Sequence, residues 1–288
     1  MRYFYLIKNP EKDRVDQVAE EICGYIERRG GICRIQDPEE RLPRGEEKRF
    51  QYTDAGKVPE DTQCVITLGG DGTLIQAARD LAGRQIPLAG VNLGHLGYLT
   101  QIGRREDVEE LLDALLTDQY QLERRMMLKG SIFHGGQAVT GDVALNEIVI
   151  TRRETLRILK FRIYVNGEYL SEYKADGMIA ATPTGSTAYN LSAGGPIVAP
   201  GARMTILTPI CPHALNGRSI VLSADDRIEI EALGNDDSGQ VAVFDGDITL
   251  KMMVGDRVRI ERSQMETVLI KLKNVSFLDN LRSKLANA

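Results

Sequence analysis

The chain of 288 residues has no tryptophan, only three histidines and only four cysteines, and each shortage removes a class of chemistry. His95, His134 and His213 are scattered, with no H-E-x-x-H pair and no cysteine at ligand spacing. A metal centre of protein nitrogen and sulfur therefore has no basis in the sequence, and no nucleophile-histidine pair follows from spacing. Cys23, Cys33, Cys64 and Cys211 form no C-x-x-C pair, and Cys64 falls in an apolar run where a small hydrophobe belongs; a reducing cytosol is the simplest reading. An excess of positive charge is also missing. With 36 Lys plus Arg against 41 Asp plus Glu, the net charge is −5, which argues against a nucleic-acid groove or a polybasic membrane surface. No apolar stretch approaches the roughly 18 residues of a membrane span, and the run at 3–7 is too short for the apolar core of a secretory signal. The expectation is a soluble, unprocessed, cytoplasmic chain that meets anionic ligands through local features.

What is present is ordinary globular material, 42% hydrophobic and 27% charged, enough for one large or two ordinary domains. Residues 3–7 read as a buried strand. Val15, Val18, Ala19, Ile22 and Ile26 then mark one face of a helix, and 32–35 reads as a second strand. This βαβ opening predicts a parallel sheet built by a right-handed crossover. The polar stretch 37–62, broken by Pro38, Pro43, Gly45, Gly56 and Pro59, reads as a long loop. A strand at 64–68, a helix at 73–81, a strand at 86–91 and a helix at 106–116 complete the first region. After about Tyr120 the apolar period changes from 3.6 to 2. Strand candidates follow at 126–133, 143–151, 158–165, 168–173, 178–182, 219–222, 227–232, 240–244, 257–260 and 267–273, with Asn166-Gly167 as a hairpin turn. Residues 277–285 return to helical spacing. The predicted fold is an α/β N-terminal domain with a parallel, Rossmann-like sheet (1–120), an all-β, sandwich-like domain (121–265), and a C-terminal segment (266–288) packing back on the first domain.

Gly69-Gly70-Asp71-Gly72-Thr73 lies between a strand and a helix. Free amides and the helix dipole favour a phosphate there, and glycine permits positive φ or close approach. Asp71 is the only ionisable side chain in this turn, although Asp71 or Thr73 is equally able to cap the helix. A second glycine turn, 92–100, leaves the C-terminal edge of the same sheet, where open α/β folds bind ligands. Asn146 and Glu147 precede a very apolar strand, as a ligand-binding pair or as a plain strand-initiating turn. Lys174 and Asp176 lead into Gly177, itself a common turn partner of aspartate. The loop 182–196 carries five hydroxyl side chains in its first eleven residues. Tyr189 within it offers a face for a base.

Taken together these stretches resemble the NAD kinase family: Gly-Gly-Asp-Gly-Thr at 69–73, N-x-G-x-L-G-[FY]-L-T at 92–100, Asn146-Glu147, K-x-D-G at 174–177, and T-P-T-G-S-T-A-Y-x-x-S-x-G-G-P at 182–196. The first motif alone also occurs in lipid and sugar kinases; five in this order are jointly specific. The resemblance implies ATP-dependent phosphorylation of the 2′-hydroxyl on the adenosine ribose of NAD, giving NADP. It also implies magnesium carried mainly on the ATP phosphates, and a homodimer or homotetramer. Carried over by resemblance, Asp71 is the general base within a turn of Gly70, Asp71, Gly72 and Thr73. Asn146, Glu147, Lys174, Asp176 and the loop residues Thr187, Ala188, Tyr189, Asn190, Leu191 and Ser192 bind the dinucleotide. The rival readings are a lipid or sugar kinase sharing the turn, and a non-catalytic NADP-binding sensor. One departure is Asp247, where many members carry glutamine in a D-G-Q turn.

Overall fold

The structure is a computed structural model, and it describes residues 1–37, 53–94, 97–100, 102–153, 158–213, 217–234, 239–272 and 276–286. Most of the loop expected at 37–62, together with His95, Leu96 and Lys273, lies outside the described residues. In chain order the elements are β1 (Tyr3–Lys8), α1 (Val15–Arg28), β2 (Ile32–Ile35), β3 (Cys64–Gly69), α2 (Asp71–Asp80), β4 (Leu88–Asn92), α3 (Arg105–Leu116), β5 (Gln121–His134), β6 (Gln137–Ala144) and β7 (Glu147–Arg152). There follow β8 (Leu159–Val165), β9 (Glu168–Ala175), β10 (Gly177–Ala181), the single turn α4 (Tyr189–Ser192), β11 (Met204–Ile210), β12 (Ile220–Ser223), β13 (Ile228–Leu233), β14 (Gln240–Phe244), β15 (Ile248–Lys251), β16 (Arg257–Lys271) and α5 (Phe277–Ala286). No helix among the described residues is long and apolar enough to cross a membrane.

The chain divides into two compact units. Among the described residues, the first comprises 1–37, 53–125 and 266–286, and the second comprises 126–265. In the first unit β2, β1, β3 and β4 lie side by side and all parallel, and Leu269 of β16 pairs with Leu88 of β4. All six residues of β3 are buried, which is why its sequence is almost wholly apolar, with Thr67 the one hydroxyl in the run: a central parallel strand is covered on both faces. Its core joins Leu6, Ile66 and Leu68 of the sheet to Ala19, Ile22 and Ile26 of α1 and to Leu111, Leu112 and Leu115 of α3. Cys23 of α1 and Cys33 of β2 form a disulfide with Cα atoms 5.2 Å apart. No short-range motif announces this pairing, because a helix and a strand bring the two residues together.

The second unit is a sandwich. One sheet runs β12-β11-β10-β7-β14-β15, antiparallel throughout; the other carries β16, β13, β8 and β9, with the β5-β6 hairpin beside β16. Alternate residues face inward. Ile148, Ile150, Met178, Ala180, Ala242 and Phe244 of the first sheet share one core with Phe161, Ile163, Ile228, Ile230, Val258 and Ile260 of the second. Asn166 and Gly167, at φ 53° and 87°, turn β8 back into β9, as a type I′ turn requires.

Several local expectations need correction. The predicted strand at 143–151 is two strands, β6 and β7, broken at Leu145 and Asn146 by a contact described below. The predicted strands at 257–260 and 267–273 are one: β16 continues through polar residues because its N-terminal part pairs with β13 and Leu269 with β4. Strand β11 was not among the predicted strands, and it contains Pro209, a residue that is disfavoured in interior strands. Pairing with β12 stops at Leu207, so Pro209 sits beyond that ladder and costs it no hydrogen bond. Strand β15 and most of β6 are short or polar and gave no period.

Candidate active site

In the first unit β3 ends at Gly69 and α2 begins at Asp71, two residues earlier than its apolar spacing suggests. Gly70 is the N-cap, extended at φ −123° and ψ −168°, and no side chain caps the helix. The Asp71 carboxylate faces the second glycine turn instead. Its Oδ2 accepts the N–H of Tyr98 at 2.7 Å; its Oδ1 accepts the N–H groups of Leu99 at 3.2 Å and Thr100 at 2.8 Å, and the Thr100 hydroxyl at 2.7 Å. The Thr100 Oγ1 in turn accepts Asn92 Nδ2 at 3.0 Å, and Asn92 Oδ1 accepts the N–H of Gly94 at 2.7 Å. Asn92 closes β4, so a chain of hydrogen bonds leads from the sheet edge through buried Thr100 to the half-buried carboxylate.

The glycines here work by clearance. None of Gly69, Gly70 and Gly72 has positive φ, contrary to the conformational role considered from sequence. A Cβ on Gly69 would strike the Thr73 side chain, and one on Gly97 would land on the Asp71 carboxylate. At Gly70 and Gly72 a Cβ would meet no atom of the described residues within 4 Å beyond its chain neighbours and the helix's own backbone. Among the described residues the N-terminus of α2 is thus bare of side chains on that side, where the first amides of a helix lack the usual intrahelical partner; the Thr73 N–H reaches back to the Gly70 carbonyl at 3.1 Å. Thr73 is buried behind them.

In the second unit Asn146 and Glu147 stand where β7 begins, both nearly buried. Asp245, in the turn between β14 and β15, holds them. Its carboxylate accepts the N–H groups of Leu145 at 2.8 Å, Asn146 at 2.7 Å and Glu147 at 3.1 Å, while its own N–H donates to the Glu147 carbonyl at 3.0 Å. This contact separates β6 from β7. Asp245 and Gly246 have φ 50° and 71°, and the N–H of Asp247 closes the turn on the Phe244 carbonyl at 3.0 Å. The loop after β10 packs on the same place: Thr182 donates its N–H to Asn146 O at 2.8 Å and its hydroxyl to Leu145 O at 2.6 Å. A Cβ on Gly185 would drive into the Asn146 backbone. Burial, with the Asp245 carboxylate as a second cause, pushes the Glu147 carboxyl up to about 8.

Thr187, Ala188 and Leu191 are half-buried, and Ser192 and Tyr189 are exposed, the tyrosine at 45%. Asn190, expected among the binding residues, has its side chain engaged within the protein. It is fully buried, its Nδ2 donates to the carbonyls of Ser186 and Pro196 at 3.1 Å each, and its Oδ1 accepts the Thr208 hydroxyl at 2.7 Å. Thr182 spends its hydroxyl on the Leu145 carbonyl and on the Gly185 N–H, and Ser186 spends its own on the Pro183 carbonyl, so the hydroxyl-rich composition partly serves to fix the loop itself. Lys174 is exposed on β9. Asp176 pairs with Arg152 Nη1 at 2.7 Å, next to the end of β10 opposite Thr182, so within the unit five strand residues separate it from the Asn146 turn. Sequence reasoning missed Asn92, Gly97 and Thr100 as individual residues of the site, missed Arg152 altogether, and noted the 245–247 turn for its departure at Asp247 without giving a role to Asp245. The Asp-Gly dipeptide at 245–246 was the only available signal for the last.

The chain matches two family models, described as the ATP-NAD kinase N-terminal domain over residues 4–120 and the ATP-NAD kinase C-terminal domain over residues 145–272. It is 46% identical to the NAD kinase of Lachnospira eligens over 99% of this chain and 100% of that one. It is also 46% identical to the NAD kinase of Agathobacter rectalis over 100% and 99%. Among solved structures, an NAD kinase from Archaeoglobus fulgidus in complex with ATP superposes with a TM-score of 0.77 at 26% identity, covering 100% of both chains. Yeast NADH kinase complexed with NADH shares the fold, with a TM-score of 0.85 at 22% identity, covering 99% of this chain and 88% of that one. The two domain models account for both units, and full-length relatives share nearly half their residues with it: this chain belongs to the NAD kinase family.

Proposed function

We propose that the chain transfers the terminal phosphoryl group of ATP to the 2′-hydroxyl of the adenosine ribose of NAD, giving NADP, with Asp71 as general base. The observation that carries this reading is the Asp71 carboxylate, fixed by four donors beside the bare N-terminus of α2. Phosphoryl transfer asks chiefly for alignment and charge stabilisation, with one group to take the proton of the attacking hydroxyl. Oδ1 receives three donors and Oδ2 one, so Oδ2 keeps the lone pair that accepts the ribose proton. As that proton moves, the ribose oxygen bonds to the γ-phosphorus and the bond from phosphorus to the β,γ-bridging oxygen breaks, releasing ADP. The amides of the α2 N-terminus and the clearance at Gly70 and Gly72 suit the donor's phosphates.

In this reading Asn146, Glu147, Thr187, Ala188, Tyr189, Leu191 and Ser192 hold the dinucleotide, Lys174 and Asp176 supply further polar anchors, and Asn190 stiffens the loop from within. Among the described residues there is no group of three His, Cys, Asp or Glu side chains able to hold a metal ion. Magnesium is a hard cation that keeps water and phosphate oxygens as ligands, so in this reading the ATP phosphates would carry it; when bound, it would neutralise charge on the transferred group. A cytoplasmic homodimer or homotetramer belongs to the same proposal, and a sizing measurement tests the assembly. Incubating the purified protein with NAD, ATP and magnesium yields NADP. Absence of product across a donor panel that includes polyphosphate overturns the reading.

A further inference from the structure

We propose that Glu147 meets the dinucleotide as a neutral carboxylic acid and donates a hydrogen bond to one of its acceptor atoms, with Asp245 as the residue that positions it. The inference rests on the reading that the Asn146–Glu147 turn receives NAD. Glu147 is 6% exposed, and its Oε2 is buried with no hydrogen-bond partner among the described residues. An ionised carboxylate in that position would carry a desolvated charge with nothing to balance it. Among the described residues, the one charged group that acts on it is Asp245. Across β10 its neighbours are Ala181 and Thr182, and from the β14–β15 turn the charged group that faces it is Asp245, a second carboxylate. Asp245 cannot ease the situation by moving, because three backbone amides hold it.

Burial and the Asp245 charge together push the Glu147 carboxyl up to about 8. At neutral pH the group therefore carries a proton, and its buried Oε2 has no partner among the described residues. A buried polar atom left unmatched is costly, so a ligand acceptor placed there recovers stabilisation that the free protein lacks. Neutrality has a further consequence for a ligand bearing a diphosphate: Glu147 adds no negative charge beside that of Asp245. A carboxylate would instead accept from ribose hydroxyls, and the two modes respond oppositely to pH.

Calorimetric titration of NAD into the full-length protein across neutral to alkaline pH separates them. If binding needs the proton, affinity falls about tenfold between pH 7 and 9, as a single group titrating near 8 requires. In Glu147→Gln the amide keeps a donor that does not titrate, and the slope disappears whatever the variant's affinity at pH 7. Wild-type affinity that is flat or rises over that range overturns the inference, as does an undiminished slope in the glutamine variant. NADP formation by the wild type is followed in parallel. Turnover with a flat affinity profile removes only the proton-donor role, whereas neither binding nor turnover at any pH overturns the kinase reading and this inference with it.

Discussion

Gly97→Ala tests the grip on Asp71 by one methyl group. The φ of Gly97 lies outside the left-handed region, so alanine meets no backbone strain and the perturbation is purely one of space. The new Cβ would overlap all three carboxylate atoms of Asp71, and even the farthest, Oδ2, would be 2.5 Å away. Ordinary contact is about 3.5 Å, so even that atom must retreat by about 1 Å and the nearer Oδ1 by more, and the carboxylate loses its alignment with the donors of the 98–100 turn. A misplacement of that size costs about 10²-fold in rate, and complete loss of a general base about 10²- to 10⁴-fold. The expected result is a kcat lowered by roughly 10² to 10⁴ with KM for NAD within about threefold, because the residues proposed to bind NAD are in the other unit. Asp71→Asn gives a fall of the same order. The double variant falls little below Asp71→Asn alone, since both changes remove one function. Initial rates of NADP formation at saturating ATP measure all three, with a thermal melt to confirm folding. A Gly97→Ala kcat within threefold of wild type refutes the reasoning, and so does a double variant whose losses multiply.

Thr100→Val removes the hydroxyl that donates to Asp71 Oδ1 and accepts from Asn92; a lost hydrogen bond to a charged group predicts a kcat lower by about 10- to 100-fold. Thr100→Ser restores most of it; a serine variant as slow as valine would show that the methyl group, which crowds Gly90, is what matters. Stability should report the Glu147 proton independently of ligand. A carboxyl raised from 4.5 to about 8 on folding lets the native state hold a proton that the unfolded chain has released. Its contribution is therefore full below pH 4.5 and lost as pH rises through about 8, up to about 5 kcal/mol in all. Denaturant titrations at pH 5 and pH 9 should show a larger alkaline loss in wild type than in Glu147→Gln; equal losses refute it. Thiol counting with a chromogenic disulfide reagent should label Cys211 in the folded protein. Cys64, buried and pushed up to about 12 by burial, should react after unfolding, and Cys23 and Cys33 after reduction.

The sequence by itself determined the class of fold and the chemistry of the opening turn. A parallel α/β sheet was legible because its strands are buried on both faces and its helices on one, which writes continuous apolar runs and a 3.6 period into the chain. The sandwich was legible because each strand has one buried face, as the alternation in β8 and β13 records. Local pattern cannot carry what depends on partners distant in the chain. Whether Pro209 breaks a strand depends on where β12 stops, and whether polar residues end β16 depends on its neighbours at both ends. The same limit applies to the site. Asp71 was visible as a lone carboxylate among glycines, yet its release from a capping role comes from amides 27 to 29 residues away. Asn146 and Glu147 were visible as a pair, but the burial that keeps Glu147 protonated, and the Asp245 charge that adds to it from about a hundred residues on, were not; Asp245 also separates β6 from β7. Residue type supplied the functional groups; only tertiary contacts decided which oxygen is engaged, which proton is held, and which polar side chains, Asn190 among them, serve the fold itself.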